Sequence, residues 1–210
     1  MEEVCVLADR VFARIQPLAR PKTRRLIAIG GPPASGKSTL ALQLQKRLNE
    51  KSIPCGLVPM DGFHLDNEVL SARGLLSRKG APETFDVRGF RDLIHRLTVE
   101  QELSVPLFDR EGDCVIADAG CIKDQHQHVI VEGNYLFLND GLWKALRPYW
   151  SLSVFIAPPL EILEQRLIQR WLEHGLDEAS ARARAATNDI PNAELVMIRT
   201  DMQTVDMVLR

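Results

Sequence analysis

The run Gly31-Pro32-Pro33-Ala34-Ser35-Gly36-Lys37-Ser38, followed by Thr39, matches the pattern Gly-x-x-x-x-Gly-Lys-[Ser/Thr] in full. Glycines let the backbone curl until successive N–H groups point inward at phosphate oxygens. A helix starting near Lys37 adds the positive end of its dipole. The Lys37 ammonium suits the β- and γ-phosphates of a nucleoside triphosphate, and the Ser38 hydroxyl suits Mg²⁺. By composition alone, four fixed positions match on the order of once in a hundred chains of this length. The position of this match, between a strand pattern and a helix pattern, makes chance a poor explanation.

Such a loop needs a carboxylate at the end of a nearby buried strand. Val129-Ile130-Val131-Glu132-Gly133 offers one: three apolar β-formers, then Glu132 as a metal-holding or orienting acid. A solvated strand end is the plainer alternative. Val58-Pro59-Met60-Asp61-Gly62-Phe63-His64 ends another strand pattern. In open parallel sheets ligands sit beyond the carboxyl ends of strands, so Asp61 falls where a base could take a proton from an attacking hydroxyl. An Asp-Gly turn explains the same residues without chemistry. His64 could touch substrate or start a helix.

The elements that must position these groups are legible from apolar spacing. Helical spacing covers 3–16, closed by Pro17 and Pro21, then 37–49, 65–73, 87–98, 142–149, 159–174 and 177–187. Short apolar runs at 24–31, 55–60, 128–132, 152–156 and 205–209 read as strands. Residues 77–83 read as a loop, and Asn188-Asp189 before Pro191 as another, which could face the adenine or the acceptor or simply cap a helix. The runs 102–108 and 114–119 form a hairpin around Asp109–Asp113 that leaves the main sheet. Strands alternating with helices imply an α/β fold with a parallel sheet covered on both faces.

Bulk numbers agree with one such domain spanning 1–210. The chain has 210 residues, is 45% apolar and carries a net charge of −2. So small a charge gives no global case for nucleic acid or membrane binding. The four cysteines, Cys5, Cys55, Cys114 and Cys121, fit no zinc spacing and read as reduced, mostly buried thiols. No apolar run approaches the ~20 residues of a membrane span, and the acidic start MEEV is unlike a signal peptide. A cytoplasmic location is expected.

Taken together, these motifs resemble the P-loop kinases related to uridine kinase, phosphoribulokinase and type I pantothenate kinase. GPPASGKST, Met60-Asp61-Gly62-Phe63-His64 and Val131-Glu132-Gly133-Asn134-Tyr135 carry the likeness. It extends to the stretch from Arg78 to Asp86 (RKGAPETFD), to Pro106-Leu107-Phe108-Asp109-Arg110 and to Arg166-Leu167-Ile168-Gln169-Arg170, covering roughly 22–210. RWLEHG at 170–175 and NDIPNA at 188–193 are similar to bacterial proteins called nucleoside/nucleotide kinase family proteins or fructose transport system kinases.

The resemblance implies a three-layer α/β/α P-loop NTPase fold with a mostly parallel central sheet, the hairpin excursion and a helical lid at about 166–187. It implies ATP and Mg²⁺ as cofactors, Asp61 as catalytic base and Glu132 as the Walker B acid. Arg166 and Arg170, four apart on one helix, would close over the phosphates. Where uridine kinases usually carry Ser-Phe-Tyr after the base, this chain has Gly-Phe-His, and Gly62-Phe63 is closer to the pantothenate kinase form.

Candidate acceptor contacts are His64, Arg78, Lys79, Phe85, Asp86, Asp109 and Arg110. The carboxylates suit sugar hydroxyls; Arg78 and Lys79 would instead suit a phosphorylated or carboxylated acceptor. The expectation is a small-molecule kinase with a sugar-like acceptor, fructose first, and no nucleic acid partner. The alternatives are a nucleoside or pantothenate-like vitamin kinase, and, from another class, a regulatory ATPase or switch. A homodimer is left open.

Overall fold

The computed structural model describes residues 2–15 and 24–210; Pro17 and Pro21 lie outside them. In chain order the strands are β1 (Arg25–Gly30), β2 (Cys55–Pro59), β3 (Leu103–Asp109), β4 (Cys114–Ile122), β5 (His128–Gly133), β6 (Trp150–Ile156) and β7 (Met207–Leu209). The helices are α1 (Glu2–Ile15), α2 (Lys37–Glu50), α3 (Asn67–Ala72), α4 (Val87–Val99), α5 (Gly141–Lys144), α6 (Leu160–Glu173), α7 (Glu178–Arg184) and α8 (Ile190–Arg199). Five strands form one parallel sheet in the order β2-β5-β1-β6-β7, and β3 and β4 pair separately as an antiparallel hairpin.

Period-two alternation splits the core between the two faces of this sheet. Leu26 and Ala28 of β1 pack with Val58, Val129, Val131 and the α4 residues Phe90, Ile94 and Leu97. Ile27 and Ile29 face the other way, onto Leu40, Leu44 and Leu48 of α2 and Val11 and Ile15 of α1. On α1 the buried positions Ala8, Val11, Phe12 and Ile15 follow the i, i+3, i+4, i+7 rule, so the helix covers the outside of α2. Each large apolar side chain buried this way contributes about 1.5–3 kcal/mol. Five N–H donors of Arg24 are satisfied by the carbonyls of Leu97, Glu100, Gln101, Lys123 and His126, which ties the start of β1 to the end of α4 and to the β4–β5 turn.

Several sequence expectations need correction. Asn188-Asp189 is not a loop: α7 continues through a π-helical turn, Ala185–Asp189, straight into α8. Pro191 lacks an N–H and its ring crowds the carbonyl four residues back, so the helix widens by one residue instead of ending. The helix expected at 142–149 is broken into α5 and a 3₁₀ turn, Arg147–Tyr149, around Pro148. The thiols are not mostly buried: Cys5, Cys114 and Cys121 are exposed and only Cys55 is enclosed, where burial pushes its pKa up to about 12. Cys114 and Cys121 lie on β4, most of whose residues face outward because the hairpin stands off the sheet. β4 also runs on to Ile122, three residues past its expected end.

His64, His126 and His128 all have depressed pKa values, in each case first because burial disfavours the imidazolium. For such a group the unfolded chain, with a pKa near 6.5, binds more protons than the native one. Its contribution to stability is therefore complete above pH ~6.5 and is lost as pH falls through the native value. Both ring nitrogens of the buried His128 lack a protein partner, so little holds its neutral form specifically. Thermal melting of the wild type should shift downward between pH 7 and pH 5, and His128→Leu should shift less over the same range. An equal shift would contradict the role given to His128.

Candidate active site

The strand order places the chemistry. Glu132 is the register partner of Pro59 on β2 and of Ile29 on β1. Asp61 follows two residues after Pro59, and the phosphate loop starts two residues after Ile29. With neighbouring strands ~4.8 Å apart, Asp61, Glu132 and Gly31 line up over about 10 Å at the carboxyl edge of the sheet.

The phosphate loop has the backbone its sequence predicts. Gly36 sits at φ 92° as the cap of α2, a conformation that favours glycine, and Ala34 adopts φ 61°. Arg166 on α6 donates to the loop carbonyls of Ala34 and Ser35 at 3.3 and 3.4 Å. Glu132 is buried, and burial pushes its carboxyl above the ordinary range; the Lys37 ammonium pulls against that, Asp61 adds to it, and the Ser38 hydroxyl pulls down. Its Oε2 has no protein partner.

An orphaned buried carboxylate oxygen beside a serine hydroxyl is a hard-oxygen donor set, which fits Mg²⁺ directly or through water. Among the described residues no three His, Cys, Asp or Glu side chains converge as a metal cage.

Asp61 lies in a 3₁₀ turn, Met60–Phe63, at the end of β2. Arg110, from the hairpin turn, donates to its Oδ2 at 3.0 Å. With Arg110 61% exposed and Asp61 25% exposed, this pair is worth about 0–1 kcal/mol, too little to lock the carboxylate. His64 is stacked between Phe85 and Phe108, with ring centroids at 4.1 and 4.7 Å. A cavity of about 550 Å³ joins Pro33 and Lys37 at one end to Asp61, His64, Phe108 and Arg110, with Arg170, Trp171 and Asp189 along its side.

Other residues singled out from the sequence do different work. Lys79 lines the cavity, but its three N–H donors go to Asn67 Oδ1, Asp113 Oδ1 and the Asp113 carbonyl, at 2.7, 2.8 and 2.9 Å. Burial pushes the Asp113 carboxyl up, but hydrogen bonds from Lys79 and Asn67 outweigh it and the net shift is down. Arg78 pairs with Glu83 at 3.5 Å, outside the cavity lining. Asp86 caps α4 by accepting from the Gly89 amide at 3.0 Å. Asp109 accepts from the Glu111 amide at 3.1 Å and shapes the hairpin turn. Asp86 and Asp109 are therefore not part of the cavity wall. Arg166 and Arg170, one helical turn apart, do not share a target: Arg170 reaches Asp189 at 3.9 Å and lies over the Trp171 ring.

A "putative uridine kinase" of Schizosaccharomyces pombe (strain 972) is 34% identical over 216 residues, spanning 96% of this chain and 89% of that protein. The chain belongs to the uridine kinase-like family of P-loop kinases. The Escherichia coli K12 protein YggC is 37% identical to this kinase over 182 residues, 86% of this chain and 76% of YggC. A crystal structure of a "putative fructose transport system kinase" from Silicibacter sp. TM1040 is 42% identical, with a TM-score of 0.90 over 99% of this chain and 98% of that one. No protein-family model matches the kinase. Membership makes it an ATP-dependent phosphotransferase with a hydroxyl acceptor, on a three-layer α/β/α fold.

Sequence reasoning missed several cavity residues of the kinase: Asn134, Trp171, Arg184 and Asn192. The Trp171 indole N–H donates to Asp189 Oδ2 at 2.6 Å and its ring lies beneath the Arg170 and Arg184 guanidiniums. The available signals were weak: Trp171 adjoins Arg170, and Asn192 lies one turn after Asn188.

Gly62 shows why the segment after Asp61 must be glycine. A Cβ there would stand 2.2 Å from the carbonyl oxygen of Pro106, whose residue sits at the irregularity between β3 and β4. Gly62→Ala should cost about 1–3 kcal/mol through overpacking and should lower kcat by displacing Asp61. Unchanged melting with unchanged kcat would show that the hairpin does not hold this turn.

Proposed function

We propose that this kinase transfers the γ-phosphate of ATP to a hydroxyl of a sugar-like small molecule, with fructose as the leading candidate. The single observation that carries this reading is one cavity holding both Lys37 of the phosphate loop and Asp61 beside Arg110 and His64. A hydrolytic switch has no need of a second chamber furnished with a base. The fructose reading leans on the name of the 42% identical Silicibacter protein.

In this reading Asp61 accepts the proton of the acceptor hydroxyl and orients its oxygen for in-line attack. Lys37 faces the β- and γ-phosphates, and the loop amides hold the remaining oxygens. Mg²⁺, held through Ser38 and, directly or through water, Glu132, would neutralise charge on the phosphates when bound. Arg166 already touches the loop and stiffens it. Arg170, on the arm formed by about 166–187, turns from Asp189 toward the transferred group as the arm closes. Gly175, at φ 87°, provides a break between α6 and α7 where such movement can begin. Three exposed, unpaired thiols suit a reducing compartment such as the cytoplasm, and no described helix is long and apolar enough to cross a membrane.

Asp61→Asn should lower kcat by 10²-fold or more while leaving ATP affinity nearly intact, as read by nucleotide titration and turnover. Loss of ATP binding in that variant would give Asp61 a different role. A panel of sugars, nucleosides and vitamins, scored for ADP and phosphorylated product, tests the kinase reading itself. Hydrolysis of ATP as fast without acceptor as with any of them would replace it with the switch.

A further inference from the structure

The cavity wall carries hydrogen-bond acceptors whose orientation is fixed by their hydrogen bonds to the rest of the chain. Asn188 donates from Nδ2 to the Lys79 carbonyl at 3.0 Å. A carbonyl can only accept, so the Asn188 amide has one orientation and its Oδ1 points the other way. Asn192 donates to that Oδ1 at 3.5 Å, which leaves Asn192 Oδ1 as an acceptor with no protein partner. Both asparagines are 2% exposed, and Asn192 lines the cavity. Burying an amide oxygen without a partner is unfavourable by about 1–3 kcal/mol, so a ligand donor is the natural complement.

The same logic fixes His64. Its Nδ1 lies 2.8 Å from the Asp61 carbonyl oxygen, so Nδ1 carries the proton and Nε2 is an acceptor in the neutral ring. Asn134 Oδ1 is a further buried acceptor without a partner on the same cavity.

The cations on this side of the cavity already have partners: Arg170 reaches Asp189 at 3.9 Å, Arg184 donates to the Ser77 carbonyl at 3.1 Å, and both lie over the Trp171 ring. Lys79 has spent all three donors on Asn67 and Asp113. Arg110 is beside Asp61, so an acceptor anion placed against it would also meet that carboxylate.

From this arrangement we infer that the acceptor is an uncharged polyhydroxylated molecule whose hydroxyls donate to Asn192 Oδ1 and His64 Nε2, and that the π-helical turn at Ala185–Asp189 exists to present that asparagine pair. The inference rests on the kinase reading and narrows it. It selects against a phosphorylated or carboxylated acceptor.

Matched pairs test it: D-fructose against fructose 6-phosphate, D-ribulose against ribulose 5-phosphate, and glycerol against glycerate, each with MgATP and the full chain. The uncharged member should give the higher kcat/KM, by tenfold or more, in every pair that reacts. Preference for the charged member in any reacting pair overturns the inference and leaves the kinase standing. Hydrolysis without transfer to any of the six overturns the kinase reading and the inference with it. With the preferred acceptor, Asn192→Leu and His64→Phe, two near-isosteric changes, should each raise its KM at least tenfold with the KM for ATP unmoved. A rise in the KM for ATP, or no change in either constant, would assign these side chains to structure alone.

Discussion

A buried carboxylate at the centre of the sheet edge sets the terms for the rest of this kinase. Glu132 is the penultimate residue of a strand whose every residue is buried, flanked by β1 and β2. A charge there is tolerated only with compensating charge close by. Lys37 supplies it, and Lys37 can do so only because Gly36 turns the chain from the end of β1 into the start of α2. Asp61, in the turn after the other neighbouring strand, adds charge of the wrong sign and is only weakly paired with Arg110. The donor side and the acceptor side are thus coupled through one carboxylate, whose pKa is raised first by burial, with Lys37 opposing the shift and Asp61 adding to it. Lys37 alone does not bring it down, which is the electrostatic setting in which a divalent cation binds.

How much of this was readable in advance depended on whether the deciding interaction was local. The phosphate loop, β1, β2, β5 and α2 were legible because apolar period and glycine spacing act within a few residues. Asp61 and Glu132 were legible as strand ends. Asp86 looked like an acceptor contact because its carboxylate follows a conspicuous segment, yet the amide that satisfies it is only three residues on. Lys79 looked like an anion site because the carboxylate that pairs with it, Asp113, comes from the tip of a hairpin more than thirty residues away. Asn188 was legible as a residue that could face a ligand, but its pairing with Asn192 was not, because Pro191 suggested a loop and only the continuous helix through the π turn brings the two side chains together.

Segment Arg78–Asp86 carries family likeness while its charged side chains are engaged within the protein: Arg78 with Glu83, Lys79 with Asn67 and Asp113, and Asp86 with the Gly89 amide. Its carbonyls and aromatic ring do the work. Tyr135, fully buried, donates its hydroxyl to the Gly80 carbonyl, Asn188 donates to the Lys79 carbonyl, and Phe85 backs His64. Three separate elements therefore converge on a few residues of backbone, which makes the segment a wall. Its shape is set by hydrogen bonds that would survive changes in Arg78 or Glu83.

The arm adds the last constraint. Asp189 holds the Trp171 indole and reaches Arg170, while Arg184 covers the other contact to Trp171 and donates to the Ser77 carbonyl. The 3.9 Å separation between Arg170 and Asp189 is at the edge of an ion pair, whereas the indole bond at 2.6 Å is short. Movement of the arm would therefore release Arg170 first and leave Trp171 anchored. The π turn that bears Asp189 also bears Asn188, so a ligand drawn to Asn192 bears on the same turn that restrains Arg170. On the proposed reading, acceptor recognition and recruitment of the arginine would share one structural element, and a substrate that failed to engage the asparagines would leave Arg170 with its internal carboxylate.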